Sequence, residues 1–232
     1  EYDYLISFDY SQIELRVLAH LANVTSLIQA FNENKDIHRH TASVVFGVSE
    51  DEVTSTMRRN AKAVNFGIIY GMSDYGLAEQ LGVTVKEAKS FIEKYFEKYA
   101  EIKEYMNKSI AFGKENGYVS TVLNRKRYIP EINEKNYMRQ EFGKRLAMNS
   151  PIQGSAADII KLAMIKVDQL LKENHMKSKM ILQVHDELIF DVYEDELEQM
   201  MKLVQTGMES AYQMTVELKA EGTYAKNWYE LK

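Results

Sequence analysis

Cysteine is absent from the 232 residues. That excludes a disulfide framework and any thiolate metal site, and a reducing, intracellular setting fits. Proline occurs only twice, at Pro130 and Pro151, so no proline-rich linker divides the chain. No apolar run approaches the roughly 18 residues a membrane span needs, and no signal peptide precedes Glu1, so no membrane partner is expected. The chain also lacks an initiator Met and opens almost directly on a strand, and a piece of a longer polypeptide is therefore expected. Glycine is sparse, with 11 in all. Two of these, Gly67 and Gly71, stand in one segment that otherwise reads as a helix.

What is present fits a folded protein. Hydrophobic residues make up 45% and charged residues 27%, ordinary values for a globular chain able to bury one large core or two interleaved subdomains. The net charge of −5 argues weakly against a nucleic-acid partner, but distribution matters more than the total. Residues 121–150 carry seven Lys or Arg against three Glu, while residues 191–200 carry five acids and no base. One face can therefore hold a phosphate backbone while acids work elsewhere.

Along the chain, Tyr4–Asp9 reads as a strand, followed by a helix from about Gln12 to Ala22. Helices fill most of 26–116, with start signals at Ser49, Thr54 and Thr84. Thr84-Val-Lys-Glu87 has the form of a capping box. Tyr118–Ile129 reads as a short hairpin ending at Pro130. Helices return at about 134–148 and 155–174, with a break expected at Pro151. Two apolar runs, Met180–Val184 and Leu188–Val192, flank a three-residue turn. A helix at about 194–211 and a strand near Val216–Glu221 close the chain. Strands at both ends of a long helical insert predict an α+β fold, a sheet platform interrupted by a helical subdomain.

The segment Met57–Gly71 is the most informative. It spaces Arg58, Lys62, Phe66 and Tyr70 four residues apart, which on a helix gives one slowly winding stripe roughly 18 Å long. Cations lie toward the helix N-terminus, where the backbone dipole also favours anions, and aromatics lie toward the other end. Such a stripe suits a nucleoside triphosphate. The commoner origin of this pattern is an ordinary amphipathic helix, but Asn60, Val64, Asn65 and the two glycines make a poor helix for purely structural use. Small residues beside the stripe would also let something flat approach the backbone.

The acids form a second cluster. His185-Asp186-Glu187 sits at a hairpin tip, where turn geometry asks for Asn-Gly or Gly-X instead. An acidic turn is usually only a solvated loop, yet Asp9 ends a strand nearby in the expected sheet. Two carboxylates at adjacent strand ends can hold a pair of Mg²⁺ ions roughly 3.5–4 Å apart, the arrangement used for in-line phosphoryl displacement.

At these residues the chain resembles a known family. Asp9-Tyr-Ser-Gln-Ile-Glu-Leu-Arg16 is similar to motif A of family A DNA polymerases, Arg58 through Gly71 to motif B, and Gln183-Val-His-Asp-Glu187 to motif C. Asp36-Ile-His38, Gly71-Met-Ser73 and Asn149-Ser-Pro-Ile-Gln-Gly154 match in order and spacing, so the resemblance covers essentially the whole chain.

The resemblance implies an antiparallel palm sheet with packed helices (residues 1–33 and 131–232) interrupted by mainly helical fingers (34–130). It implies template-directed DNA synthesis in replication and repair, with dNTP and primer-template DNA as partners and two Mg²⁺ ions as cofactor. Asp9, Asp186 and the carbonyl of Tyr10 would bind metal. Arg58, Lys62 and His38 would grip the triphosphate, with Lys62 a candidate proton donor to pyrophosphate. Phe66 would pack on the sugar and base, Tyr70 would occupy the template-base position, and Gln12 and Glu14 would complete the nucleotide site. Gln153, Asn149 and Arg145 would touch the minor groove near the primer terminus, flanked by His185 and Glu187. A monomeric, cytoplasmic, nucleoid-associated enzyme is expected, with the thumb, the early palm and any exonuclease domains outside these 232 residues. The piece alone is expected to be weak or inactive.

Two features qualify the resemblance. The family usually has Gly-Arg-Arg-Arg where this chain has Asn124-Arg-Lys-Arg127, which leaves the turn geometry open. Ser11 and Glu14 form S-x-x-E, so Glu14 has a local capping role available beside that of a steric gate against the ribose 2′-hydroxyl. A single-subunit RNA polymerase would not be expected to keep Glu14 and Phe66 in these places. A decayed, purely binding module would not be expected to keep Asp9, Asp186 and Lys62.

Overall fold

A computed structural model describes residues 2–231. Glu1 and Lys232, the outer ends of the first and last expected palm segments, lie outside the described residues. The fold is α+β, as the sequence predicts, and it divides into two compact units.

The first unit comprises Glu1–Ile13 and Ala156–Lys232. Its centre is a four-stranded antiparallel sheet of β1 (Tyr4–Tyr10), β4 (Lys179–Val184), β5 (Glu187–Val192) and β6 (Ala220–Ala225), in the order β4-β5-β1-β6. Alternation explains β1: Ile6, Phe8 and Tyr10 are each at most 2% exposed and share one face. Tyr10 extends from that face to donate its hydroxyl to the carbonyl of Met208 at 2.6 Å. Met208 belongs to α9 (Leu197–Glu209), whose buried Met200, Val204 and Met208 recur every four residues. Phe8 pairs with Gly222 in β6. A Cβ on Gly222 would lie 2.3 Å from the Phe8 ring, so only glycine leaves room for it. Each such large side chain taken out of water contributes about 1.5–3 kcal/mol.

The sequence places the last strand at Val216–Glu221, but the ladder to β1 begins at Ala220. Val216, Leu218 and Ala220 do alternate inward. The pattern was real, but the pairing it implied starts four residues later.

The second unit, Glu14–Ser155, is mainly helical: α1 (Ile13–Leu21), α2 (Thr25–Asn32), α3 (Ile37–Phe46), α4 (Ser55–Ile69), α5 (Asp74–Leu81), α6 (Val85–Lys98) and α7 (Ala100–Asn116). The start signals hold. Thr54 accepts from the N–H of Met57, and Thr84 and Glu87 form the capping box of α6. Ser49 and Glu52 make the same reciprocal pair on a 3₁₀ turn at Glu50–Glu52. The hairpin of β2 (Tyr118–Ser120) and β3 (Lys126–Tyr128) follows. Asn124 in its loop has φ +61°, the left-handed region that glycine favours and asparagine tolerates best among other residues. Asparagine therefore accommodates the left-handed turn at this position. By packing, 14–33 goes with the helical unit and the second boundary falls at 155/156.

The break expected at Pro151 does not occur. α8 is one 37-residue helix, Tyr137–Glu173, with Pro151 inside it. An internal proline removes a ladder bond and crowds the carbonyl four residues back, at a cost of about 3 kcal/mol. Neighbouring packing offsets this. Ile152 and Ser155 are fully buried, Val122 donates its N–H to Ser155 Oγ at 3.0 Å, and Arg125 Nη2 reaches the Gly154 carbonyl at 3.2 Å.

Candidate active site

In the first unit, antiparallel pairing sets Asp9, near the end of β1, opposite Glu187, the first residue of β5. Glu187 also pairs with Val184. The turn is therefore two residues, His185 and Asp186, rather than three, and Glu187 belongs to the sheet. His185 has φ +54°, so a histidine occupies a left-handed position where such hairpins ordinarily use glycine or asparagine, at a cost of about 1–2 kcal/mol. Tyr10 donates its backbone N–H to the Asp186 carbonyl at 3.3 Å, which seats Asp186 beside the Asp9–Tyr10 corner. Ser7, which sequence reasoning missed, donates its hydroxyl to Glu187.

The acids strain one another. Loss of water around the Asp9 carboxyl, together with the charges of Asp186 and Glu187 and a hydrogen bond with Asp186, raises its pKa to about 6. Crowded carboxylates of this kind are relieved by a cation. Among the described residues no group of three or more His, Asp or Glu forms a metal cage. The oxygens that could hold a cation here are few, chiefly the Asp9 and Asp186 carboxylates, and so sparse a set would suit an ion that keeps water or phosphate in its remaining positions.

Gln12 also has φ +54°, and its side-chain oxygen is buried without a protein hydrogen-bond partner. A left-handed, non-glycine residue thus precedes Asp186 directly and another follows Asp9 by three residues, a feature no periodicity could reveal.

In the second unit, α4 presents the predicted stripe. Arg58, Lys62 and Tyr70 are exposed and Phe66 half-buried, while Ala61, Val64, Asn65 and Ile68 face inward. The Phe66 and Tyr70 rings stack with centroids 6.5 Å apart, and His38 lies 6.1 Å from Phe66. Tyr70 ends the helix, and its hydroxyl donates to Glu14 Oε2 at 2.8 Å. Since α1 begins at Ile13, Glu14 sits in the first helical turn with its carboxylate accepting from Tyr70.

The glycines do not open the stripe to a ligand, as the sequence suggested. Gly67 is buried with Met72 beside it. Gly71, at φ +63°, closes α4 in a Schellman pattern, with the N–H of Met72 on the Gly67 carbonyl at 2.8 Å and that of Gly71 on Ile68 at 3.0 Å. A Cβ there would meet Met148 Cε at 2.8 Å and Arg145 Cγ at 3.1 Å. Arg145, Asn149 and Gln153 recur at four-residue spacing along α8, and Arg145 and Gln153 are exposed.

Asp36, named in a motif but given no role by the sequence, organises this end of the unit. Its carboxylate accepts from the N–H groups of His38 and Arg39, each at 3.1 Å, and from Arg58 Nε at 2.6 Å. Partial burial opposes ionisation, but these donors and the Arg58 charge hold its carboxyl below the usual range. Burial is also the main reason His38 falls to about 4, with nearby Asp36 opposing the shift and Arg58 and Lys62 adding to it. His38 is therefore neutral at physiological pH.

Comparison with known proteins places this geometry in a class. The chain superposes on the POL domain of Pol1 from M. smegmatis, in a complex with DNA primer-template and dNTP, with a TM-score of 0.95 and 45% identity, covering 99% of this chain and 41% of that one. That is the fold of a polymerase domain. Residues 1–230 match DNA polymerase family A, and the chain belongs to that family. It is 52% identical to DNA polymerase I of Bacillus caldotenax over its whole length and 53% identical to that of Bacillus subtilis. It spans 27% and 26% of those proteins, respectively.

Proposed function

We propose that this chain carries the nucleotidyl-transfer residues of a DNA-directed DNA polymerase that acts in replication and repair. Its partners are primer-template DNA and a dNTP. The observation that carries the reading is the β4–β5 hairpin, whose turn brings Asp186 back to the Asp9–Tyr10 corner of β1. The likeness to a POL domain complexed with primer-template and dNTP supports the choice of substrates.

In this reading residues 1–33 and 131–232 serve as palm and 34–130 as fingers. Asp9, Asp186 and the Tyr10 carbonyl would hold two Mg²⁺ ions. When bound, these lower the pKa of the primer 3′-hydroxyl and stabilise charge on the α-phosphate. Lys62, Arg58 and the neutral His38 grip the triphosphate, and Lys62 supplies a proton to departing pyrophosphate. Phe66 packs on the nucleotide. Tyr70 holds Glu14 as the gate against a 2′-hydroxyl, with Gln12 at the same site. Arg145, Asn149 and Gln153 follow the minor groove, where the acceptors of correct pairs are alike. His185 and Glu187 flank the primer end. The enzyme acts as a cytoplasmic, nucleoid-associated monomer. No helix among the described residues is long and apolar enough to cross a membrane.

Primer extension by the full-length protein with Mg²⁺ tests this directly. Template-directed extension with dNTPs, and little with rNTPs, is the expected result. Extension with rNTPs alone would favour an RNA polymerase, and DNA binding without extension would favour a binding module.

A further inference from the structure

Asn65 is only 1% exposed and His38 only 4%. Both belong to the helical unit, Asn65 on α4 and His38 on α3. The carboxamide of Asn65 lies between two side chains of α3. Its Nδ2 is 3.0 Å from His38 Nδ1, and its Oδ1 accepts from Thr41 Oγ1 at 3.1 Å. A carboxamide nitrogen only donates and its oxygen only accepts. With Thr41 donating to the oxygen, the NH₂ is directed at His38, and Nδ1 must be the acceptor. A neutral imidazole carries one proton, so here it sits on Nε2.

We propose that Asn65 is a positioning residue that fixes the Nε2–H tautomer of His38, so that the imidazole offers a triphosphate a donor instead of a lone pair. Thr41 holds the Asn65 carboxamide in the sense this requires. The proposal rests on the reading of His38 as a triphosphate-gripping residue. It explains why a buried asparagine stands inside α4, where an apolar residue would serve packing better. In the opposite tautomer the ring would set a lone pair against a phosphate oxygen, and the contact would turn repulsive. Burial keeps the ring uncharged, with Asp36 opposing and the charges of Arg58 and Lys62 adding to it, so no second ring proton is present to mask the choice.

Long-range ¹H–¹⁵N spectra of this chain, which has five histidines, test the tautomer, with His38→Gln identifying the signal. Nδ1 is expected unprotonated and Nε2 protonated between about pH 5.5 and 8. In Asn65→Asp the carboxylate draws a proton onto Nδ1 and the His38 titration moves up. In Asn65→Leu the two tautomers mix. Thr41→Val, a milder change, shifts the ratio in the same direction as Asn65→Leu. Primer extension by the full-length protein gives the second readout. His38→Ala raises the KM for dNTP by about tenfold, one hydrogen bond's worth. Asn65→Leu raises it by about twofold, the factor expected when half the rings hold the other tautomer. Each has a smaller effect on kcat, and the double variant loses no more than His38→Ala. A native Nδ1–H signal, or Asn65 variants that leave tautomer and KM unchanged, would overturn the proposal. An unchanged KM in His38→Ala would instead overturn the triphosphate role of His38, and with it the purpose of the tautomer, while the spectra still decide whether Asn65 sets it.

Discussion

The hydroxyl of Tyr70 and the carboxylate of Glu14, 56 residues apart in the chain, share a hydrogen bond of 2.8 Å. Tyr70 ends the helix that carries Arg58, Lys62 and Phe66, and Glu14 opens the first helix after the motif A strand. The bond ties the aromatic end of the stripe to the residue proposed to exclude a ribose 2′-hydroxyl. Glu14→Ala should therefore raise ribonucleotide incorporation by roughly tenfold or more, since about 1.4 kcal/mol of lost discrimination suffices. Tyr70→Phe should change it in the same direction by less. A Glu14→Ala protein that loses only about 1 kcal/mol of thermal stability, with discrimination intact, would show that Glu14 serves its helix alone.

The proposed packing of Phe66, stacked on Tyr70, against the nucleotide gives a second expectation. Phe66 has no hydroxyl and offers no polar partner to replace a missing 3′-OH. The enzyme should discriminate against dideoxynucleotides, and Phe66→Tyr should relax this. The ratio of ddNTP to dNTP incorporation measures it, and an unchanged ratio would place the sugar elsewhere.

Acid should weaken the helical unit through His38. Its folded pKa of about 4 lies below the ordinary 6.5, so protons bind the unfolded chain preferentially between those values. The stabilising contribution is whole above about pH 6.5 and is lost as pH falls toward 4. Urea midpoints should fall over that window, and His38→Gln should flatten this part of the profile.

Gly71→Ala should destabilise by about 1–2 kcal/mol. The left-handed backbone penalises any Cβ, and Met148 and Arg145 already occupy its place. Denaturation of the purified chain measures the loss. A neutral outcome would mean that the cap relaxes freely.

Much of this was legible because it rests on local chemistry. Thr54 and Thr84 cap where S/T-initiated helices start, and the four-residue interval of Arg58, Lys62, Phe66 and Tyr70 survives as an outward stripe. What escaped depends on distant contacts. Pro151 breaks helices in isolation, but here buried neighbours and the 121–125 loop carry α8 through it. The β6 strand follows its pairing with β1, which residue alternation alone does not locate. Asn65 looked like a weakness of the helix, and only its two partners on α3 give it a purpose. Asp36 and Ser7 act on residues far along the chain, at separations of 22 and 180. The left-handed backbone of Gln12 and His185 carries no compositional signature at all.

The central claim is that Asp9 and Asp186 hold the metals for nucleotidyl transfer, and primer extension by Asp9→Asn and Asp186→Asn in the full-length protein tests it most directly. Each substitution keeps the size of the side chain and removes one charge from the crowded cluster. Extension should be abolished at any Mg²⁺ concentration while primer-template binding stays near its original strength, because phosphate contacts come from Lys and Arg. Substantial extension by either variant would contradict the account.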